Sequence, residues 1–122
     1  MDILFLMFLL QAKHWYADFG IQTYDQTVKK GVYGDPVGIS HSLDHMLWTI
    51  LVLCIFSWFF KIEPALILAI GFLEGIAHYH IDWFKVKYGS KNPATSRYWA
   101  EFGLDQFAHQ LCYLFIVWYL LL

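Results

Sequence analysis

One pattern constrains this chain more than any other. Four long apolar segments each keep one dry half and place histidines and carboxylates in the other half. Spanning a hydrocarbon layer takes about 20 helical residues, and each segment is of that order. The first, about 2–23, is apolar to Leu10 and then admits Lys13, His14 and Asp18. The second, about 40–60, begins with His41, Asp44 and His45 and is free of charge from Met46 to Phe60. The third, about 63–84, opens on Pro64, is apolar from Ala65 to Leu73 and then carries Glu74, His78, His80 and Asp82. The fourth, about 97–122, has Glu101, Asp105 and His109 early and an almost wholly apolar tail from Gln110.

Polar residues therefore come late, early, late and early along the chain. In an up-down-up-down bundle all four polar half-helices lie on one side. The expected fold is all-α: a polytopic four-helix transmembrane bundle, one domain over residues 1–122, with its polar halves converging. Both long connections, 24–39 and 85–96, fall on that same side and carry turn chemistry such as Gly34-Asp35-Pro36 and Ser90-Lys91-Asn92-Pro93. Ionisable groups within a membrane are costly and mark functional interiors. Loops over such a site are where binding residues commonly sit.

Composition agrees with this reading. Of 122 residues, 59% are hydrophobic and 15% charged, against about a quarter charged in soluble proteins. The formal charge of -2 and the lack of a basic stripe exclude a nucleic-acid reader. Met1–Leu10 lacks the basic start and small-residue cleavage site of a signal peptide, so a retained helix is expected. Lys29, Lys30, Lys85, Lys87, Lys91 and Arg97 flank the polar side against Lys61 opposite. The positive-inside rule then places the polar ends and long loops in the cytoplasm and both termini outside, in a multi-pass inner-membrane protein. Cys54 and Cys112 lie in apolar runs and are expected to be small buried hydrophobes. Gly71 and Gly75 form a close-packing motif on the third segment.

Residues four apart share a helix face. His14 with Asp18, His41 with His45, Glu74 with His78, His78 with Asp82, and Asp105 with His109 all have this spacing. Asp44 joins the His41–His45 face in part, whereas His80 lies two residues off the His78 face. Two chemical readings follow. In one, His14, Asp18, His41, Asp44, His45, Glu74, His78, Asp82, Asp105 and His109 supply the ligands of one or two divalent ions such as zinc, manganese or iron. Carboxylates left over would orient the imidazoles. In the other, the same groups form an ion-paired polar core or a proton or solute pathway.

These residues together resemble a family of small bacterial and phage membrane proteins, the domain of unknown function 3307 family. The likeness lies in His14-Trp-Tyr-Ala-Asp18-Phe-Gly-Ile-Gln22, His41-Ser-Leu-Asp-His45, Glu74-Gly-Ile-Ala-His78-Tyr-His-Ile-Asp82-Trp-Phe-Lys85 and Asp105-Gln-Phe-Ala-His109. It covers essentially the whole chain and implies a membrane protein with these polar positions as signatures. It implies no activity. A looser likeness to small inner-membrane proteins described as metal-dependent hydrolases is an analogy of arrangement.

Three functions fit the residues. The first is a metal-dependent hydrolase acting on a membrane lipid or other amphiphile at the cytoplasmic leaflet, with Asp82, Asp105 or Glu74 as general base. The second is a transporter or channel subunit for a metal ion, proton or small solute. Against it, Ala65–Leu73 and the tail after Gln110 offer no polar walls. The third is a structural membrane protein that assembles with itself or with a larger partner.

Overall fold

The structure, a computed structural model, describes residues 2–121. It is all-α. Helix α1 (Asp2–Trp15) runs into a π-helical stretch, Tyr16–Ile21; then come α2 (Tyr24–Lys29), α3 (Pro36–Ser57), α4 (Pro64–Tyr88) and α5 (Ser96–Leu121). Proline in the first turn starts both α3 and α4, since its missing N–H is one a helix start leaves unpaired anyway. The Asp35 carboxylate caps α3 by accepting from the Val37 N–H at 2.9 Å. That cap and Pro36 begin the helix earlier than the expected residue 40.

The expected loop over 24–39 contains a helix. Thr23 and Gln26 form a reciprocal capping box that starts α2, and α2 packs against α3. Gly38 permits this approach, because a Cβ there would stand 2.9 Å from the Lys29 carbonyl oxygen and the Lys30 Cα. The first helix also departs from expectation. Its regular part ends at Trp15, and the wider π-helical turns carry the chain to Ile21.

The four long helical stretches pack in a ring: α1 against α3 and α5, α4 against α3 and α5. Neighbours run antiparallel. Phe5 meets Phe56 and Phe59 at one end of the α1–α3 contact, and Asp18 meets His45 at the other. Along α3–α4, a Cβ on Gly71 would collide with Ile50, and one on Gly75 would lie 3.0 Å from the Met46 Cβ. The two glycines thus let α4 lie close on α3, as the motif predicts.

The interior divides lengthwise. One half is a dry core of Leu6, Leu10, Val52, Leu53, Phe56, Ile67, Ile70, Ile116 and Val117, with Tyr113 at its edge. The other half buries Lys13, His14, His41, His45, Glu74, His78, Asp82, Asp105 and His109. Outside, large apolar side chains stand open, among them Leu4, Phe8, Leu68, Phe72, Phe107, Leu111, Phe115 and Trp118. Buried charge with so much exposed apolar area is the reverse of the usual distribution in a soluble fold. Among the described residues, α3 and α4, of 22 and 25 residues, are the two helices long and apolar enough to cross a membrane.

Candidate metal centre

The site is built around two carboxylates. Asp18, on the first π-helical turn, points one oxygen at three imidazoles: Oδ1 lies 3.0 Å from His45 Nε2, 3.1 Å from His41 Nε2 and 3.8 Å from His78 Nε2. Its Oδ2 lies 3.2 Å from His14 Nε2. Local π-helical geometry recurs at functional positions, and here it carries the residue on which three other helical faces converge.

The second carboxylate, Asp82, sits one turn beyond His78 on α4. Its Oδ2 lies 3.2 Å from His78 Nε2, 3.3 Å from His41 Nε2 and 3.1 Å from Lys30 Nζ, and its Oδ1 lies 3.6 Å from His109 Nε2. The rings stack into a column, with centroids 3.4 Å apart for His45 and His78 and 4.1 Å for His78 and His109.

Two groups of side chains in this cluster have the donor set and spacing for a metal ion. Asp18, His41, His45 and His78 each offer a ligand atom within 4.8 Å of the others, as do His78, Asp82 and His109. The first is a carboxylate with three imidazoles, the kind of set that suits zinc and other borderline divalent ions. His78 belongs to both groups. Its Nε2 is the atom near Asp18, His41 and Asp82, and one lone pair serves one ion, so the two groups compete for it. Several buried atoms here have close neighbours yet no well-formed hydrogen bond: His78 Nδ1, Asp82 Oδ2, Asp105 Oδ1 and His109 Nε2. For Asp82 Oδ2 the Lys30 ammonium and the imidazole nitrogens of His41 and His78 lie close without hydrogen-bond alignment. Buried polar atoms are ordinarily satisfied, so this concentration of unmatched donors and acceptors fits residues arranged around a cation.

The other expected ligands lie around this centre. His14 holds Asp18 in place. Its Nε2 also faces Gln106 Oε1 at 3.0 Å and its Nδ1 faces the Tyr113 hydroxyl at 2.9 Å, so both ring nitrogens are engaged. Glu74 accepts from Lys13 Nζ at 2.9 Å and from the Thr49 hydroxyl at 3.1 Å. Asp105 stands beside His109 at 3.7 Å and accepts from Gln106. Asp44 lies off the cluster, a third of a turn round α3 from His45, and accepts from Gln26 at 3.1 Å. His80 is exposed and turned to Tyr33 and the Ile76 carbonyl oxygen.

Two participants lay outside the sequence-derived ligand set. Lys13 is buried between Glu74 and His45, with Nζ 3.3 Å from His45 Nδ1. Lys30, at the end of α2, reaches Asp82. Lys13 is adjacent in sequence to His14, but only the helix packing turns it inward. Lys30 needed α2, which the loop-like composition of its segment conceals.

A cleft of about 210 Å³ opens over the cluster, lined by Asp18, Gln22, Lys30, Lys85, Asp105 and Gln106 among others. Comparison with known proteins places this arrangement. Residues 4–122 match the family described as "Protein of unknown function (DUF3307)". The chain belongs to that family. No curated protein and no solved structure matches it. For a DUF3307 protein, then, the function must be argued from the buried cluster itself.

Proposed function

We propose that this DUF3307 protein is a membrane-embedded metal protein that hydrolyses an ester or phosphoester of an amphiphile at the cytoplasmic leaflet. The observation that carries the metal reading is the buried meeting of Asp18, His41, His45 and His78 from three helical segments, with ligand atoms within 4.8 Å of one another. The inverted distribution of polarity, charge inside and Phe, Leu and Trp outside, supports insertion of all four long helices as a transmembrane bundle. Lys29, Lys85, Lys87, Lys91 and Arg97 ring the polar end, which supports a cytoplasmic site.

A divalent ion in this site supplies a Lewis acid that polarises a phosphoryl or carbonyl oxygen and makes water more acidic. The protein's own groups do the rest. His41, His45, His78 and Asp18 would hold the ion, while His14 fixes Asp18 through its second oxygen. Asp105, which lines the cleft, and Asp82, beside His78 and His109, would take the proton of the attacking water. The water oxygen bonds to phosphorus or acyl carbon, the ester oxygen leaves, and the proton passes to it. Glu74, held by Lys13 and Thr49, is a positioning group in this scheme.

One observation favours a second reading, a polar core that needs no metal. Lys13 with Glu74 and Lys30 with Asp82 already neutralise two buried carboxylates. Transport is supported less, because Leu6, Leu10, Leu53, Phe56, Ile67 and Ile116 fill the opposite half. The deciding experiment is elemental analysis of protein purified in mild detergent without chelator, beside a His78→Ala, Asp82→Ala double variant. One or two equivalents of zinc, manganese or iron, lost in the variant, support the centre. No metal after reloading with each ion removes the hydrolase reading and leaves the polar core.

A further inference from the structure

Beside the cleft over the cluster lies a second, larger space that shares two of its lining residues. A groove of about 690 Å³ lies between α4 and α5, with apolar walls that include Ile81, Phe84, Leu104 and Ala108. Lys85 and Asp105 line both the groove and the cleft. Further along the same seam, toward the dry half, a hollow of about 390 Å³ is walled by Ile70, Leu73, Ala77, Leu111 and Phe115. Small residues keep the seam open, Ala77 in one hollow and Ala108 in the other, each beside a histidine of the cluster. The seam thus runs from the polar end into the apolar depth.

Charge at the junction is mixed: Lys85 and Lys30 stand on the cleft wall with Asp18 and Asp105, and Lys30 also reaches Asp82. Among the described residues Lys85 makes no ion pair; its ammonium rests 5.1 Å over the Phe102 ring. Of the acids nearby, Glu101 pairs with Arg97 at 2.7 Å and Asp18 with the imidazoles, while Asp105 accepts from Gln106 and leaves Oδ1 unmatched. Lys30 adds a second ammonium to the cleft wall.

We propose that the α4–α5 seam binds one membrane phospholipid with a terminal phosphate, as in phosphatidic acid rather than phosphatidylcholine, by head and tail. Its phosphate sits in the cleft against Lys85 and Lys30, and one acyl chain lies along Ile81, Leu104 and Ala108 toward the dry half. This rests on the membrane-hydrolase reading and names its substrate as a phosphate-bearing lipid that reaches the centre sideways from the bilayer. A partly desolvated ammonium without a counter-ion attracts a phosphate oxygen strongly, and the apolar groove beside it fits a chain rather than a soluble head alone.

The test is native mass spectrometry of the protein released from nanodiscs of equal parts phosphatidic acid and phosphatidylcholine, with metal content measured on the same samples. Retained lipid should favour phosphatidic acid by about tenfold, the worth of one charge-assisted hydrogen bond. Lys85→Met should remove that preference. Ala108→Phe, which fills the groove, should remove the retained lipid, and neither should release metal. Equal retention of the two lipids by the unaltered protein overturns the proposal, as does unchanged binding in both variants. Complete displacement of the lipid by inorganic phosphate also overturns it, since the head alone would then be the ligand. Selective lipid retention by a protein that takes up no metal would support the seam and sink the hydrolase.

Discussion

The two halves of this ring of helices are held together by opposite means. In the dry half, Leu53 and Phe56 of α3 pack with Leu6, Leu10, Ile67 and Ile116, side chains that could equally well face lipid. On the membrane reading proposed above, their attraction is close packing more than escape from water, because lipid tails are as apolar as leucine. In the polar half the same helices are tied by named partners: Lys13 to Glu74, Asp18 to three histidines, Lys30 to Asp82. Those contacts have no equivalent in lipid, and each group left without its partner is a buried, unmatched polar atom. The dry half should therefore tolerate substitutions that the polar half does not. A chain that needed only stability would have no use for the second kind.

The largest effect should come from the residue common to both ligand groups. His78→Ala should abolish metal retention and any hydrolase activity while the helical far-ultraviolet signal of the detergent-solubilised protein stays. Retained metal in this variant would mean that the ligand sets are wrongly drawn. Asp44→Ala makes the matching control, since Asp44 faces Gln26 rather than the cluster, and it should keep metal.

Next in size is the buried ion pair. Lys13→Ala leaves Glu74 charged and without its strongest partner in a region closed to water, and breaking such a pair costs about 3–5 kcal/mol. Unfolding in mixed micelles should show this loss. Adding Glu74→Gln should recover most of it, because both charges are then gone. If the single variant were neutral, the polar half would be wetter and looser than its geometry indicates.

What the sequence could and could not disclose follows from the same contrast. The four helical segments and the i, i+4 acid–histidine pairs were legible because helix periodicity alone puts those residues on one face. So was the close approach at Gly71 and Gly75. The identity of the ligand group was not legible, since choosing among ten candidates requires the rotation of each helix against its neighbours. Spacing sets Asp44 only in part on the His41–His45 face, and α3 turns it toward Gln26. The π-helical stretch that carries Asp18 has no strong local signature. Helix α2 hides in a segment rich in lysine and glycine, and Lys30 was hidden with it.

Within the dry half, Leu53→Ala should cost about 2 kcal/mol, the low end for such truncations, and leave metal content unchanged. Leu53 is fully buried, but on the proposed membrane reading only the cavity and lost contacts count, because the alternative surroundings are lipid. A loss of metal in this variant would show that the two halves are coupled through the ring.

The smallest effect tests whether α2 belongs to the polar half or merely covers it. Thr23→Ala removes the hydroxyl that accepts from the Gln26 N–H at 3.2 Å, and losing such a cap costs about 1 kcal/mol. That is too little to unfold the protein, but it is spent on the short helix that ends beside Lys30. Metal content should hold, because no group in the two ligand sets comes from α2. Amide exchange over residues 24–30 should quicken about fivefold, the factor that 1 kcal/mol implies. If exchange at His41 and Asp82 quickens with it, α2 and the cluster open as one unit, and Lys30 is part of the site's frame. If only α2 responds, Lys30 is a movable cation over a centre that stands without it.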